Sequence, residues 1–505
     1  MRNAIALVPI TIAVCFATAM APAMSDEITA QVPAIQAELS SLLAAPDIDS
    51  AAIFAAVAPL GFAQRASYDV DLEPHVPARS AGPLSARLLP FAMVLDAALG
   101  QASAQTLDGI ADAQGDKGPA AIYFEQGPVF LSDIKAALVQ LALPVDEATP
   151  ANHVTVSRPL VLSSRATLVL LPGEELTLDR AEGAFLISAG GMVIDRASIV
   201  GSEAANTSEL NFRPFVLTDA TTGPVELSGA HFERLGFGSD ARSAGLSITG
   251  SSVDPDRRSF VQDSILSEMG TLSLVDAAQS TIRRNVFNQP FNTALAIVSS
   301  TAIIVDDNVM VGANPGHGIK LGPNATNILI SDNIVADNDK HGLLLEGNTN
   351  GSVIFNNLLF ENAASGVAVL NGSCLSLEQN LILANVADGI MVRNSAELNF
   401  ATNVIAANQR AGVSIVGDNG NVRLKDNRFD GNKVGLRASS SFDLAFSGND
   451  WAGQTPRLLD GDIAQYTVSL LDGIKNGDTE LTMAGLPLPE NLTASFQTCK
   501  PGEAV

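Results

Sequence analysis

The phrase NDKHGLLL, beginning at Asn338, is one of six copies of a pattern running from Asn314 to Arg437. The others read NPGHGIKL from Asn314, NAASGVAV from Asn362, NVADGIMV from Asn385, NQRAGVSI from Asn408 and, one residue tighter, NKVGLRA from Asn432. Their glycines fall at 318, 342, 366, 389, 412 and 435, in steps of 24, 24, 23, 23 and 23 residues. A second asparagine series keeps the same beat at 285, 308, 333, 357, 380, 403, 427 and 449. A fixed period of this length is the mark of stacked repeats.

Within each repeat, apolar residues alternate at period two and are separated by Asn, Gly, Asp and Ser, which predicts short strands joined by turns. Two or three strands in about 23 residues make one coil of a right-handed parallel β-helix, an all-β solenoid in which like positions stack from coil to coil. The repeated asparagines are expected to form turn ladders whose amides satisfy backbone groups. Each repeated glycine marks a backbone that needs positive φ or close approach.

Of 505 residues, 47% are hydrophobic, 5% aromatic and 16% charged, which suits a long core of Val, Ile and Leu. The formal net charge of −25 argues against nucleic acid or an anionic membrane as partner, and an anionic polysaccharide would need a locally basic groove. Met1–Ala23 reads as a secretory signal, with Arg2, an apolar run and small residues before the cleavage point, so the expected location is the periplasm. No later apolar run is long enough to span a bilayer, so no membrane insertion is expected. Of three cysteines, Cys374 and Cys499 remain after cleavage. Cys374 reads as a small buried residue, and its pairing with Cys499 is left open.

In chain order, residues 24–125 form an Ala-rich region with helical spacing at Ile35–Leu43 and Phe91–Leu99, read as a small helical region or a loosely ordered leader. Residues 126–153 hold an amphipathic helix, Asp133–Leu143, expected to cap the first coil and hide its strand edges. The β-helix is expected over residues 154–451. Residues 452–505 should form a C-terminal cap with strands at Tyr466–Leu471 and Thr479–Met483.

PGEELTLDRAEGAFLISAGGMVIDRASIVG (Pro172–Gly201), FRPF (Phe212–Phe215), Arg234–Gly236, Gly245–Ile248 and KHGLLLEGNTNGSVIFNN (Lys340–Asn357) together resemble the periplasmic mannuronan C-5-epimerases of alginate biosynthesis. The resemblance covers roughly residues 155–450. It implies a β-helix whose groove takes a polyuronate chain and converts mannuronate to guluronate residues within the polymer. The family's Asp-Pro-His-Asp phrase is not retained. On the register of Gly318-Ile319 the base histidine falls on Gly322, and the substrate-carboxylate arginine position falls at Glu346-Gly347, on Gly347. DPDRRS (Asp254–Ser259) looks like the phrase but lacks His and reads as a turn.

Epimerisation at C-5 needs a base, an acid on the opposite face, and cations or hydrogen bonds to neutralise the adjacent carboxylate. Period-two alternation puts Lys320, Leu344, Ala368, Met391, Ser414 and Arg437 in one outward column, and Gly322, Glu346, Leu370, Arg393 and Val416 in the next. The candidate catalytic residues are His317 and His341, one coil apart. They read either as base and acid or as a turn ladder of satisfied histidines. Lys320, Lys340, Glu346 and Arg393 are the candidate substrate-binding residues. Neither metal nor other cofactor is expected, since no zinc spacing, nucleotide loop or calcium-roll nonapeptide occurs. Three functions stay open: an epimerase-like enzyme on an alginate-type exopolysaccharide, a non-catalytic polysaccharide-binding or export-complex scaffold, and a polysaccharide lyase.

Overall fold

The computed structural model describes residues 28–43, 50–60, 72–80, 84–90, 120–145, 150–203, 212–238, 240–251, 257–451, 456–476 and 481–483, with a few single residues between them. The expected signal, the helix at Phe91–Leu99 and residues 484–505 lie outside the described residues. The chain forms a right-handed parallel β-solenoid of about 12 turns. Its coils have three faces. The first sheet runs through strands such as Leu295–Val298, Ile319–Leu321, Leu343–Glu346 and Val367–Leu370, each parallel to the next. The second includes Ile304–Asp306, Leu329–Ser331 and Val353–Phe355. The third is a 12-stranded sheet from His153–Val156 to Arg428–Asp430.

The interior is a continuous column of Leu, Ile, Val and Phe. Each fully buried aliphatic or aromatic side chain contributes about 1.5–3 kcal/mol relative to its exposed state. Asparagine makes the turns. Asn357 Nδ2 donates to Ile330 O (2.9 Å), Phe355 O (3.0 Å) and Asn380 Oδ1 (3.0 Å), while its Oδ1 accepts from both the backbone and side-chain nitrogens of Asn333. The same pattern runs from Asn285 through Asn449, and a parallel ladder joins Asn338, Asn362, Asn385, Asn408 and Asn432. Asn314 is the exception. It is exposed, and the rung above Asn338 is the backbone N–H of Ala313.

The repeated glycines need close approach rather than positive φ. A Cβ on Gly366 would lie 2.6 Å from Ile382 Cγ2, 2.9 Å from Asn385 Nδ2 and 3.0 Å from the carbonyl oxygen of Gly389. Glycine is what lets the ladder amide and the next coil's backbone meet there.

The first coil opens earlier than the sequence suggested. Ala120–Phe124 and Gly127–Phe130 already pair in parallel with Leu160–Leu162 and Ala166–Leu170, within the stretch read as pre-solenoid. Pro159 and the polar run at Ser163–Arg165 obscure the period in these coils. Ala86–Pro90 adds an antiparallel strand to Ala120–Phe124. The capping helix spans Leu131–Gln140 and buries Leu131, Ile134, Ala137 and Leu138. Asp133 accepts the Phe130 N–H at 3.0 Å, which starts this helix two residues before the expected one. Upstream, α1 (Ile28–Leu43) and α2 (Ser50–Val57) dock on the outside of the third sheet. There Ile35, Leu39, Phe54 and Val57 pack against Val309, Ile334, Leu358 and Phe360.

At the C-terminal end, Tyr466–Leu471 is not a strand. Ala464–Tyr466 forms one 3-10 turn and Thr467–Asn476 an α-helix, whose Leu470 is buried in the core. Val468, Leu471 and Ile474 recur at helical, not alternating, spacing, and that period prevails. Leu481–Met483 pairs antiparallel with Leu444–Phe446. Cys374 is half-buried rather than core, has φ +54° and is disulfide-bonded.

Candidate functional site

The coil register brings His317 and His341 together. Each occupies the position just before a stacked glycine, a ladder that reads Thr293, His317, His341, Ser365, Asp388 and Ala411 down the solenoid. The imidazole rings stack at 5.5 Å between centroids, 9° from parallel. The backbone N–H of His341 donates to His317 Nδ1 (3.3 Å), and the Ser365 N–H donates to His341 Nδ1 (3.1 Å). Thr293 Oγ1 above and Asp388 Oδ1 below accept equivalent backbone donors, from His317 (3.4 Å) and Ala411 (3.0 Å).

An N–H aimed at Nδ1 occupies that nitrogen's lone pair, so in each neutral ring the proton sits on Nε2. Both histidines therefore present N–H donors, and neither has a free lone pair to abstract a proton. Burial pushes His317 down to about 3, helped by His341, Lys340 and Lys320, and burial likewise lowers His341. Both are neutral near pH 7. A histidine with a folded pKa below its unfolded value of about 6.5 supports folding fully above that pH and loses its contribution as pH falls toward 3. In His317→Asn, the slope of stability against pH between 6 and 4 should flatten by roughly one proton, as read from urea midpoints across that range. An unchanged slope would refute the neutral-histidine assignment.

Lys320 stands in the outward column between Ala296 and Leu344, two residues beyond Gly318. Its Nζ lies 3.1 Å from Glu346 Oε2 one coil below, with both side chains partly exposed. Lys340 is exposed on the turn beside His341. The structure thus gathers His317, Lys320, Lys340, His341 and Glu346. Arg393 is not part of that group. It is exposed in the Glu346 column two coils below, separated by Leu370, or about 10 Å.

The outward column stacks in the expected register, but only part of it is open. Leu344 (7%), Ala368 (0%) and Ser414 (3%) face away from the core and are nonetheless buried. Alanine and serine between longer side chains one strand spacing above and below have little surface left to show.

Asp388 and Arg410 went unnoticed in the sequence, and Arg437 was placed in the outward column without a role. Burial raises the Asp388 carboxyl, while Arg410 and Arg437 pull it down. The signal was available, since Asp388 holds the same place before Gly389 that His341 holds before Gly342. Gly322, at the family's histidine position, lies level with Val298, and a Cβ there would meet the Val298 Cγ2 at 3.0 Å. Gly347 has φ +79°, a backbone unsuited to arginine. In the look-alike DPDRRS, Arg257 pairs with the buried Glu226 at 2.8 Å, and Asp254–Asp256 lie outside the described residues. Among the described residues no group of three or more His, Cys, Asp or Glu is placed to hold a metal ion. No helix among them is long and apolar enough to cross a membrane.

Fold and register define a right-handed parallel β-helix protein. The family model for the right-handed β-helix region matches residues 225–359 and 313–451. Among solved structures, the periplasmic alginate epimerase AlgG superposes with a TM-score of 0.59 at 21% identity, covering 78% of this chain and 98% of that one. A single-substitution mutant of AlgG gives 0.58 at the same identity and coverage. The A-module of the Azotobacter vinelandii mannuronan C-5 epimerase AlgE4 gives 0.41 at 17% identity, covering 59% of this chain and 89% of that one. At these identities the likeness is one of fold. No curated protein matches the sequence.

Proposed function

We propose that this chain is an exported β-helix that binds an alginate-type polyuronate along the open part of its first sheet, around His317, Lys320, Lys340 and His341. One observation carries the reading: in a chain of net charge −25, two lysines and two neutral imidazole N–H donors converge on adjacent coils. Neutral donors suit hydroxyls and carboxylates alike, Lys340 supplies countercharge for a uronate carboxylate, and Lys320, paired with Glu346, adds N–H donors beside it. The AlgG-like fold supports a polymer lying along the coils.

A second reading, that the chain epimerises its polymer, is favoured by Lys320 and Glu346, a titratable pair one coil apart beside the donors. In that reading Lys340 and the histidine Nε2–H groups hold the carboxylate, and Lys320 and Glu346 part around the sugar, so that the Glu346 carboxylate takes the C-5 proton from one face and the Lys320 ammonium returns one to the other. Periplasmic location and an export-complex partner belong to the same proposal and rest on the leader expected from the sequence and on the fold likeness.

Polymannuronate titrated into the purified protein, with deuterium incorporation at C-5 in heavy water followed by proton NMR, separates the readings. Binding without incorporation is the expected result, with affinity falling about fivefold in Lys320→Ala and in Lys340→Ala and weakening further with salt. Incorporation with guluronate signals would establish the second reading. Absence of binding would sink both.

A further inference from the structure

Below the histidines the first sheet carries a second group of cations. The turn column that holds Lys340 continues through Ala364 and Ala387 to Arg410, each backbone N–H donating to the carbonyl one coil above, at 3.1, 3.0 and 3.0 Å. Ala411 pairs with Val434, so Lys433 follows Arg410 in that column, and both side chains are exposed. The outward column that holds Lys320 passes through Leu344, Ala368, Met391 and Ser414 and reaches Arg437.

Asp388 stands among these cations much as His341 stands beside Lys340. It is buried, and its Oδ1 accepts the Ala411 N–H at 3.0 Å. Arg410 and Arg437 both pull its carboxyl down against the effect of burial, which puts both guanidinium groups on its side of the sheet. Arg437 and Arg457 share a single carboxylate, Asp460, at 3.0 and 2.8 Å. Among the described residues neither Arg410 nor Lys433 is ion-paired, so this end of the sheet has more cation than partners to neutralise it.

From Lys340 to Arg410 is three strand spacings, about 14 Å, and from Lys320 to Arg437 five, about 24 Å. One sugar carboxylate reaches the upper group or the lower, not both. Between them Ala364, Ser365, Ala368 and Ala387 present only small side chains, so a stiff chain of sugar rings can pass without lifting off the sheet.

We propose that Arg410, Lys433 and Arg437 form a second carboxylate-binding station, so that the first sheet grips a polyuronate at two points and selects chains long enough to bridge them. This rests on the polymer-binding reading and adds to it the length of the ligand and the place where its far end is held. Guanidinium groups take carboxylates through paired N–H···O bonds, and a lysine beside them adds charge. Once one station is engaged, the second binds at an effective concentration set by the chain itself, which raises affinity by a factor of about 10²–10⁴.

The test titrates a mannuronate disaccharide and an octasaccharide into the purified full chain by calorimetry. The octasaccharide should bind about a hundredfold more tightly than the disaccharide, and Arg410→Ala combined with Lys433→Ala should cut that advantage about tenfold. Arg423→Ala with Lys425→Ala, exposed cations on the second sheet, is the control for overall charge and should keep the advantage. An advantage that survives in the Arg410 and Lys433 double variant overturns the second station and leaves the polymer-binding reading standing. An equal loss in the control pair also overturns it, because the effect is then one of net charge. So does a loss of disaccharide affinity as large as that of the octasaccharide, which would merge both groups into one site. An octasaccharide that fails to bind the unmodified protein sinks both readings.

Discussion

Replacing Asn357 with alanine is expected to lower stability by about 4 kcal/mol, far more than a surface substitution does. The amide is fully buried and sits mid-ladder. Its removal leaves the Asn333 backbone N–H without its 3.0 Å acceptor and the carbonyls of Ile330 and Phe355 without their Nδ2 donor. Asn380 Oδ1 loses a donor as well. No water can reach these groups, so each orphan costs about 1–3 kcal/mol, partly relieved by local adjustment. The exposed Asn348, whose side chain reaches Asn324 at 3.4 Å, is the control, and its alanine variant should stay within about 0.5 kcal/mol. Urea unfolding with hydrogen exchange reads both: in Asn357→Ala, protection should fall first in the coils on either side. Equal midpoints for the two variants would show that the ladder is incidental.

Gly389→Ala should cost about 3 kcal/mol. The added methyl would stand 2.6 Å from the Gly412 carbonyl oxygen, 2.6 Å from Ile405 Cγ2 and 2.9 Å from Asn408 Nδ2. One of these is backbone in the next coil and another a ladder amide, so neither can swing aside, and relief requires the coils to part. Gly322→Ala makes the contrast, because its Cβ meets chiefly the Val298 side chain, at 3.0 Å. That variant should lose less than about 1 kcal/mol. A thermal or urea midpoint for Gly389→Ala equal to that of Gly322→Ala would contradict the close-approach account.

These expectations bear on function because the same stacking that holds the fold disposes of the histidines. His317 and His341 were legible as a pair one coil apart. Which of their nitrogens is free was not, since that depends on a backbone N–H from the following coil. With Nδ1 engaged, the pair suits binding better than proton abstraction, which shifts the weight from the epimerase reading toward the polymer-binding one. Lys320 and Glu346 were likewise legible as neighbours, whereas the distance between Glu346 and Arg393 followed from Leu370 intervening in the column.

Near the ends, reading from sequence was weaker. In the coils around Ala120–Leu170 Asn and Gly do not recur at the coil period, and the strands are recognisable only by what they pair with. Around Thr467–Asn476 the sequence carries both periods, Tyr466, Val468 and Leu470 alternating while Val468, Leu471 and Ile474 keep helical spacing. Cys374 read as buried because cysteine commonly is, and its left-handed turn position emerged only from the backbone.

The sequence by itself determined the solenoid, its 23- to 24-residue coil, the asparagine ladders and the residues that share each column. Those features repeat, and a repeat declares its own contacts. The tertiary structure alone decided where the first coil begins, which outward residues are shielded, and that the two imidazoles are neutral donors. Each of these depends on a group from another part of the chain arriving within hydrogen-bonding or van der Waals reach, and no local pattern records that arrival.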